Sequence, residues 1–418
     1  MYAIVTESLN TVIVILFQVI KATWWVVIPV VIFLRIKPLW LTYKGIQYSK
    51  TKNWIVLEVT LPPEVEKTPK AMENVLAGLH GVWKSVSARD KWTKGVSVDT
   101  FSLELAGIDG ELHFYFRCQD NQRQLVESKI YSQYPDAEIH QVQDYITSIP
   151  PQLPNKDYEM WAADYILTRD WAYPITTHIE FEDPEQERRL DPLSQFAELV
   201  SKMDSGEYMW VQVIIRPVLS EVAGKAQEKI NEEVGRKAPK KVGVWAEISS
   251  FVKNINNYYM GRELTGRPGA ESAEKSDTLK LTPGEQEKVK RMEMKASKVS
   301  FSTTIRVLYV ARKDVFHKGH IPAVQGFFNQ FSSGFNSFKP TSTPSGSLIF
   351  FKGTRNFIRR LKLVNAYRGR GLGWLSEPYV LSVEELATIY HYPGRVVTAP
   401  FMPRISSRSS EPPKGLPR

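Results

Sequence analysis

Residues 98–118, VDTFSLELAGIDGELHFYFRC, decide the fold. Two runs in which apolar and polar residues alternate, 98–106 and 111–118, flank the tetrapeptide Gly107-Ile108-Asp109-Gly110. Alternation with a period of two is typical of strands that bury one face, and an Asp-Gly pair is typical of tight turns between strands. The segment therefore predicts an antiparallel β-hairpin.

A strand and a helix are predicted on each side of this hairpin. Residues 54–61 (WIVLEVTL) indicate a strand, and residues 69–83 indicate a helix that begins at Pro69 after Thr68. Residues 121–134 indicate a second helix and residues 137–145 a further strand. The order β-α-β-β-α-β predicts a ferredoxin-like (split βαβ) module with both helices on one face of an antiparallel sheet.

The chain after residue 155 predicts a second module of the same style. Its expected strands are 160–168, 175–181, 208–218 and 300–311, and its expected helices are 191–203, 283–298 and 316–331. The predicted fold class is therefore α+β, with tandem ferredoxin-like modules behind an N-terminal transmembrane helix. The predicted domains are an anchor with its basic flank (1–45), module one (52–150), module two (155–218 and 283–392), a polar and partly disordered insertion (219–282), and a linker-like tail (393–418).

The anchor is predicted from the run Thr11–Leu34, TVIVILFQVIKATWWVVIPVVIFL. As a helix it would measure about 36 Å, enough to cross a bilayer core of about 30 Å. Because a lysine at the bilayer centre is costly, Lys21 favours a frame shifted to residues 22–41. The aromatic side chains expected at the two interfaces are Trp24, Trp25, Trp40 and Tyr43.

The charges around the apolar run predict its orientation. Basic residues follow the run, at Arg35, Lys37 and Lys44, whereas Glu7 is the only charged residue before Lys21. By the positive-inside rule, we expect a single-pass protein of the inner membrane with the N-terminus outside and the body in the cytoplasm. The lone cysteine, Cys118, also favours a reducing compartment.

Positive charge is concentrated in the last third of the chain. The whole chain carries +9, and residues 301–418 hold 17 Lys and Arg against 5 Asp and Glu, so the preceding 300 residues carry −3. The segment 352–370, KGTRNFIRRLKLVNAYRGR, is the most basic part, and Arg355, Arg359 and Lys362 would share one face of a helix. Phosphates of a nucleic acid, the membrane leaflet and an acidic protein face are the three open interpretations. The residues predicted to bind an acidic partner are Arg355, Arg359, Arg360, Lys362, Arg368 and Arg370.

Motifs of the common enzyme classes are absent from the sequence. There is no G-x-x-x-x-G-K-[ST], no G-x-S-x-G, no H-E-x-x-H and no pair of cysteines. His317 and His320 have a spacing that permits metal ligation, but their lysine-rich surroundings favour a solvated surface. We therefore predict a protein that is not an enzyme and has neither cofactor nor metal.

The C-terminal segment resembles a known group of motor proteins. Ser382-Val383-Glu384-Glu385 is a capping box, and it begins the run LSVEELATIYHYPGRVVTAPFMPRISSRSSEPPKGLP at residues 381–417. This run is similar to the segment that precedes the motor domain in type IV secretion and conjugation-type (TraG/HerA-like) DNA-translocating ATPases. Residues 69–81 and 125–139 resemble the N-terminal region of membrane-anchored bacterial proteins that occur alone or fused to such ATPases.

The resemblance implies the non-motor part of a translocation machine. Fused members continue into a Walker motif, which no residue up to Arg418 supplies, so the motor is expected on a separate chain. The predicted function is thus a non-catalytic membrane scaffold or adaptor. Its expected partners are membrane lipid and a translocation ATPase. A membrane-tethered protein that binds DNA through its basic third is the alternative, and self-association stays open.

Overall fold

The computed structural model describes residues 2–62, 67–181, 191–218, 221–234, 282–341, 352–373 and 375–393. The helices are α1 Tyr2–Lys50, α2 Pro69–Leu79, α3 Ala88–Thr93, α4 Arg123–Gln133, α5 Ser194–Ser201, α6 Glu221–Glu233, α7 Pro283–Ser297, α8 His320–Asn329, α9 Lys352–Gly369 and α10 Val383–Ile389. The strands are β1 Trp54–Thr60, β2 Phe101–Ile108, β3 Glu111–Gln119, β4 Glu138–Val142, β5 Tyr158–Leu167, β6 Glu207–Pro217, β7 Ser300–Arg312, β8 Phe338–Pro340 and β9 Tyr379–Ser382.

The chain divides into two compact units, a helical unit of residues 1–54 and 84–99 and a sheet unit of residues 55–83 and 100–418. The helical unit includes α1 and α3, and the sheet unit includes the other described elements. Residues 84–99, which the sequence prediction assigned to module one, thus group with α1.

All the described strands lie in one sheet, in the order β4-β1-β3-β2-β6-β7-β5-β8, with β9 paired to β7. The α+β class and the antiparallel pairing are confirmed. The strands β1 to β4 with α2 and α4 follow the order β-α-β-β-α-β, as do β5 to β8 with α5 and α8. We call these sets the first and second repeats. In each repeat the fourth strand neighbours the first, the first neighbours the third, and the third neighbours the second.

A continuous sheet replaces the two separate sheets that tandem modules would have. Strand β2 pairs antiparallel with β6, from Phe101 opposite Ile215 to Ile108 opposite Tyr208. These are the second strands of the two repeats, so each repeat contributes the same edge strand to the seam. The seam therefore has approximate twofold symmetry. Each edge strand covers the other, which leaves neither exposed for further pairing.

The hairpin between β2 and β3 forms as the sequence predicts. Its loop consists of Asp109 and Gly110, with φ angles of 51° and 88°. A two-residue loop with both φ values positive matches the twist of the strands, and aspartate and glycine tolerate that conformation better than other residues.

Alternate residues of the strands point to opposite faces of the sheet. The first face carries the larger core, which α2, α4, α5, α8 and α10 cover with side chains such as Met72, Ile130, Phe196 and Phe327. The second face carries a smaller core in which Leu363, Val364 and Tyr367 of α9 pack with Trp210 of β6. The sheet is therefore covered on both sides.

The strand predicted at 175–181 is wrong, because α10 takes up the backbone donors of this segment. The Ile175 amide donates to Glu385 Oε1 at 3.0 Å, and the His178 amide donates to Thr388 Oγ1 at 2.8 Å. A short 3-10 turn, His178–Glu180, forms instead of a strand. Backbone donors that are satisfied by helix side chains do not need a strand partner.

The predicted polar insertion, 219–282, contributes one helix, α6, to the described residues. Helix α6 pairs with α7, and Ile230 and Met292 are buried between them together with Ala172. Thr282 and Glu285 form a reciprocal capping box at the start of α7. The rest of the predicted insertion, 235–281, and the predicted tail from residue 394 lie outside the described residues.

In the helical unit, α3 packs against the C-terminal half of α1. The Trp92 ring stacks on Phe33 with ring centroids 6.1 Å apart, and Trp40 Nε1 donates to the Trp92 carbonyl at 3.0 Å. Gly95 has a φ of 72°, and a Cβ there would lie 2.2 Å from the Lys44 carbonyl oxygen. Glycine is therefore required at this close approach of the two segments.

Helix α1 includes the segment that the sequence predicts to cross the membrane. Among the residues that the structure describes, no helix has both the length and the apolar character needed for a crossing. The side chains of residues 11–17, at the start of the apolar run, lie outside the described residues. The span stays a prediction.

Candidate functional site: a basic groove beside helix α9

A row of polar side chains crosses the centre of the second face. Glu104 of β2 lies opposite Gln212 of β6, Gln212 lies opposite Arg306 of β7, and Arg306 lies opposite Asp164 of β5. All four side chains are buried. Arg306 Nε donates to Asp164 Oδ1 at 3.0 Å, and Gln212 Nε2 donates to Glu104 Oε1 at 3.1 Å. The row therefore consists of two hydrogen-bonded pairs, Gln212 with Glu104 and Arg306 with Asp164.

The polar row binds the C-terminal end of α9. Arg306 Nη1 donates to the Ala366 carbonyl at 3.1 Å, and Gln212 Nε2 donates to the Tyr367 carbonyl at 3.2 Å. The last carbonyls of a helix lack partners within the helix and carry its partial negative charge. The arginine and the amide satisfy them, so the row fixes where α9 ends on the sheet.

Arg370 completes this attachment one residue after α9. Its guanidinium donates to both oxygens of Glu104, at 2.6 and 2.9 Å, and to both oxygens of Asp144, at 2.6 and 2.9 Å. Burial by itself would raise the pKa of Glu104, but the charge and hydrogen bonds of Arg370 hold it at about 2. The arginine is only 6% exposed. The prediction that Arg370 binds an acidic partner is therefore wrong, since its charge is used inside the protein.

A cleft lies beside α9, between the ends of β5 and β9, which pair with different parts of β7. Strand β5 pairs with β7 as far as Tyr165 opposite Ile305, and β9 pairs with β7 from Tyr379 opposite Thr303. Past Tyr165, β5 pairs with β8 instead. The cleft has a volume of about 820 Å³ and is bounded by α9, residues 166–171 and residues 375–379. We call it the α9 groove.

Three of the predicted partner-binding residues line the α9 groove. Arg355, Arg359 and Lys362 lie along its α9 wall, which confirms that they share one side of a helix. Arg360 lies outside the lining and forms an ion pair with Glu159. Arg368 donates to the backbone carbonyls of Pro150 and Pro151 and so helps to hold the segment that precedes β5.

The facing wall contains residues that sequence reasoning missed. Arg169 and Trp171 line it, and so does Asp170. They follow β5 in a loop held by Asn336, whose Oδ1 accepts from the Arg169 amide at 3.1 Å and whose Nδ2 donates to the Asp170 carbonyl at 3.0 Å. No periodic pattern marks such a loop, and it meets α9 only through the tertiary fold. The sequence feature that could have indicated this wall is the triplet Arg169-Asp170-Trp171 next to the end of a strand.

The charge and apolarity of the groove suit a negatively charged, partly apolar ligand. Its described lining residues include four cations (Arg169, Arg355, Arg359 and Lys362) and two acids (Asp170 and Glu377). Apolar side chains line the groove with them, among them Ile358 of α9, which is 44% exposed, and Leu375, which is 43% exposed. A carboxylate-bearing surface with apolar groups between the charges would satisfy both features.

Two other candidates from the sequence, His320 and Cys118, have internal roles. His320 Nε2 lies 3.6 Å from the buried carboxylate of Glu207, and its ring centroid is 5.0 Å from that of His317. In the described part of the chain, no three His, Cys, Asp or Glu side chains come together as a metal site would require. Cys118 is buried, and burial raises the pKa of its thiol to about 12. A thiol of this kind is a poor nucleophile at neutral pH.

The predicted anchor residues lie on exposed parts of α1. Trp24, Trp25 and Tyr43 are exposed, whereas Trp40 also contacts α3. Lys44 lies over the Trp40 ring, with Nζ 5.0 Å from the ring centroid. Arg35 and Lys37 are exposed as well. Among the described side chains between Trp25 and Leu39, the other large apolar ones exposed on this helix are Ile28, Val30, Val31, Ile32, Phe33, Leu34 and Ile36.

Comparison with protein families identifies where the chain belongs. A family model described as "Domain of unknown function (DUF8128)" matches residues 42–401, most of the chain. The chain belongs to this family. The DUF8128 match includes all the strands of the sheet, helix α9 and the lining of the α9 groove. No curated protein matches the chain.

Proposed function

We propose that this DUF8128 protein is a non-catalytic adaptor, held at the inner membrane by α1 with its body in the cytoplasm. The sheet unit, with its two ferredoxin-like repeats, presents the α9 groove to an acidic face of a second protein. That protein is a separate ATPase of a type IV secretion-like or conjugation-like translocation machine. The observation that carries the proposal is the exposed basic and apolar side of α9, whose opposite side is fixed to the sheet.

The apolar side chains on α9 favour a protein over a nucleic acid as the partner. Arg355, Arg359 and Lys362 would attract either. A phosphate backbone, however, gains little from Ile358, which lines the groove beside these charges, whereas apolar contacts between charges are typical of protein interfaces. Asp170 and Glu377 in the groove would also repel a continuous row of phosphates.

The exposed apolar side chains of α1 support attachment to a membrane. They run without interruption by acidic residues from Trp24 to Leu39, and water is an unfavourable environment for so large an apolar surface. Lipid would cover them, and the long side chains of Arg35 and Lys37, near the end of this stretch, would extend to the anionic cytoplasmic surface. The resemblance of residues 381–417 to the segment before a translocation motor supports the choice of partner.

In-cell crosslinking followed by detergent extraction tests the adaptor function. We expect a translocation ATPase to copurify with the wild-type protein, and several-fold less of it with Lys362→Glu, which reverses one charge of the α9 groove. Lys313→Glu is the matched control, because Lys313 is exposed just after β7 and outside the groove lining. Recovery of DNA without any ATPase, together with binding that falls steeply with salt, would favour the nucleic-acid alternative instead.

Protease treatment of spheroplasts tests the membrane attachment. With epitope tags at both ends, we expect the N-terminal tag to be digested and the C-terminal tag to be protected until the cells are lysed. The protein should stay in the membrane fraction after an alkaline carbonate wash. Release by carbonate, or digestion of the C-terminal tag in intact spheroplasts, would contradict the proposed anchor and its orientation.

A further inference from the structure

The geometry points to an extended acidic peptide segment as the occupant of the α9 groove. The segment would carry carboxylates at alternate positions, facing α9, and apolar side chains at the positions between them. This inference rests on the proposed function, in that the peptide belongs to the protein partner. It adds the shape and the sequence pattern of what is bound.

The spacing of the cations on α9 sets the spacing of the acids. Arg355 and Arg359 are four residues apart, which is about 6 Å along a helix that rises 1.5 Å per residue. In an extended chain, side chains two positions apart point the same way and lie about 6.6 Å from each other. Carboxylates at alternate positions would therefore meet Arg355 and Arg359 in succession, and a third would lie within reach of the flexible Lys362 side chain.

The opposite side of the groove explains the apolar positions between the acids. An extended segment presents its intervening side chains to the wall that faces α9. The described residues of that wall include Ile166, Trp171 and Leu375, which are apolar, and one cation, Arg169. Apolar side chains of the peptide would be buried there, and the removal of their apolar surface from water favours binding.

The two acids of the groove argue against a uniform polyanion. Asp170 and Glu377 lie among the lining residues, so charge of one sign along the whole length of a ligand would meet repulsion. A peptide with neutral positions between its acids avoids this repulsion. The volume of about 820 Å³ is also within the roughly 300–1,000 Å³ of clefts that bind small ligands and short segments.

Two fluorescein-labelled peptides of equal composition test the inference on the full chain in detergent micelles. One has the alternating sequence Glu-Leu-Glu-Leu-Glu-Leu, and the other has the blocked sequence Glu-Glu-Glu-Leu-Leu-Leu. By fluorescence anisotropy, we expect the alternating peptide to bind about fivefold or more tightly than the blocked one, since only it meets both walls. Equal affinities would overturn the inference, because net charge and apolarity alone would then account for binding.

Charge reversal locates the binding site. Lys362→Glu on α9 and Arg169→Glu on the facing wall should each weaken binding of the alternating peptide about fivefold or more, whereas Lys313→Glu should leave it unchanged. Both lysines and Arg169 are exposed, so the variants are expected to fold. Unchanged binding in both groove variants would overturn the inference. Displacement of the peptide by a labelled oligonucleotide that binds more tightly would also overturn it, in favour of nucleic acid.

Copurification from cells separates this inference from the proposed function. If the ATPase copurifies equally with wild type, Lys362→Glu and Arg169→Glu, the protein is still an adaptor, but the α9 groove is not its docking surface and the groove inference fails. If the alternating peptide binds as expected but no ATPase is recovered, the groove inference stands and the proposed partner is wrong.

Discussion

At the residue scale, Glu104 makes the stability of the sheet unit sensitive to acid. Its pKa is lowered in the folded protein to about 2, against 4.5 for an ordinary glutamate, because Arg370 outweighs the effect of burial. A carboxyl group whose pKa is lower in the folded than in the unfolded protein stabilises the fold at pH values above its unfolded-state pKa. This contribution is lost as the pH falls towards the folded-state pKa. We expect up to about 3 kcal/mol to be lost between about pH 4.5 and 2, since each pKa unit corresponds to about 1.4 kcal/mol.

Urea denaturation at a series of pH values measures this loss. Glu104→Gln should flatten the fall in the free energy of unfolding between pH 4.5 and 2. Asp136→Asn, at an exposed position after α4, serves as the control and should keep the wild-type slope. A wild-type slope in Glu104→Gln would show that the carboxyl titrates normally in the folded protein.

The pair of Glu104 and Arg370 also predicts a non-additive double mutant. Arg370→Met alone leaves a buried carboxylate without its cation, and such a change typically costs about 3–5 kcal/mol. The double variant Glu104→Gln with Arg370→Met removes both charges and should be less destabilised than Arg370→Met alone. The midpoints of urea unfolding give the comparison. A double variant at least as unstable as the single one would mean that Asp144 or packing, not Glu104, dominates the effect of Arg370.

At the element scale, the capping box of α10 is expected to matter more than the similar box of α7. The Ser382 hydroxyl accepts from the Glu385 amide, and the Glu385 carboxylate accepts from the Ser382 amide at 2.9 Å, all in a buried site. Thr282 and Glu285 make the equivalent bonds where water can replace them. Ser382→Ala should lower the free energy of unfolding by about 1–2 kcal/mol, and Thr282→Ala by less than 1 kcal/mol.

Chemical denaturation of the two cap variants, monitored by circular dichroism, checks the order. Equal losses would indicate that Ser382 is hydrated in the folded state or that α10 contributes little to the core. The latter would conflict with the complete burial of residues 383–389.

The elements that were predicted correctly are those with a local cause. Asp109 and Gly110 fix the hairpin through backbone conformations that few other residues adopt, and Ser382 with Glu385 forms a cap within four residues. The segment 175–181 was predicted wrongly because its apolar pattern fits a strand, while its hydrogen-bond partners lie some 210 residues away on α10. The pattern of apolar residues within a segment does not indicate hydrogen-bond partners that are so distant in the sequence.

The candidate site was half predictable for the same reason. The helical spacing of Arg355, Arg359 and Lys362 is visible in the sequence, and the structure places all three on one wall. The opposite wall comes from Arg169 and Trp171, which only the fold brings near. Arg370 continues the same basic run but is buried, because the charges of Glu104 and Asp144 draw it into the second face. Charge in a sequence does not distinguish a surface arginine from one paired inside.

At the scale of the whole molecule, the seam between β2 and β6 predicts that the two repeats unfold together. The strands pair over eight residues, and the polar row extends from β2 to β5 across the seam. If one repeat unfolded, the edge strand of the other, β2 or β6, would lose its hydrogen-bonded neighbour. We therefore expect a single cooperative transition of the sheet unit, with tryptophan fluorescence and far-ultraviolet circular dichroism giving the same urea midpoint. Two separated transitions would show that the repeats are independent despite the shared sheet.

The position of α10 has a consequence for the synthesis of the protein. Tyr392, just after this helix, packs against Phe114 and Tyr134 of the first repeat, with ring centroids 5.3 and 5.0 Å apart. The first repeat ends at Val142, so about 250 more residues must leave the ribosome before its core is complete. At about 5–20 residues per second this takes roughly 12–50 s. During that interval the nascent first repeat exposes the apolar surface that α10 later covers, which makes it a substrate for chaperones that bind emerging chains.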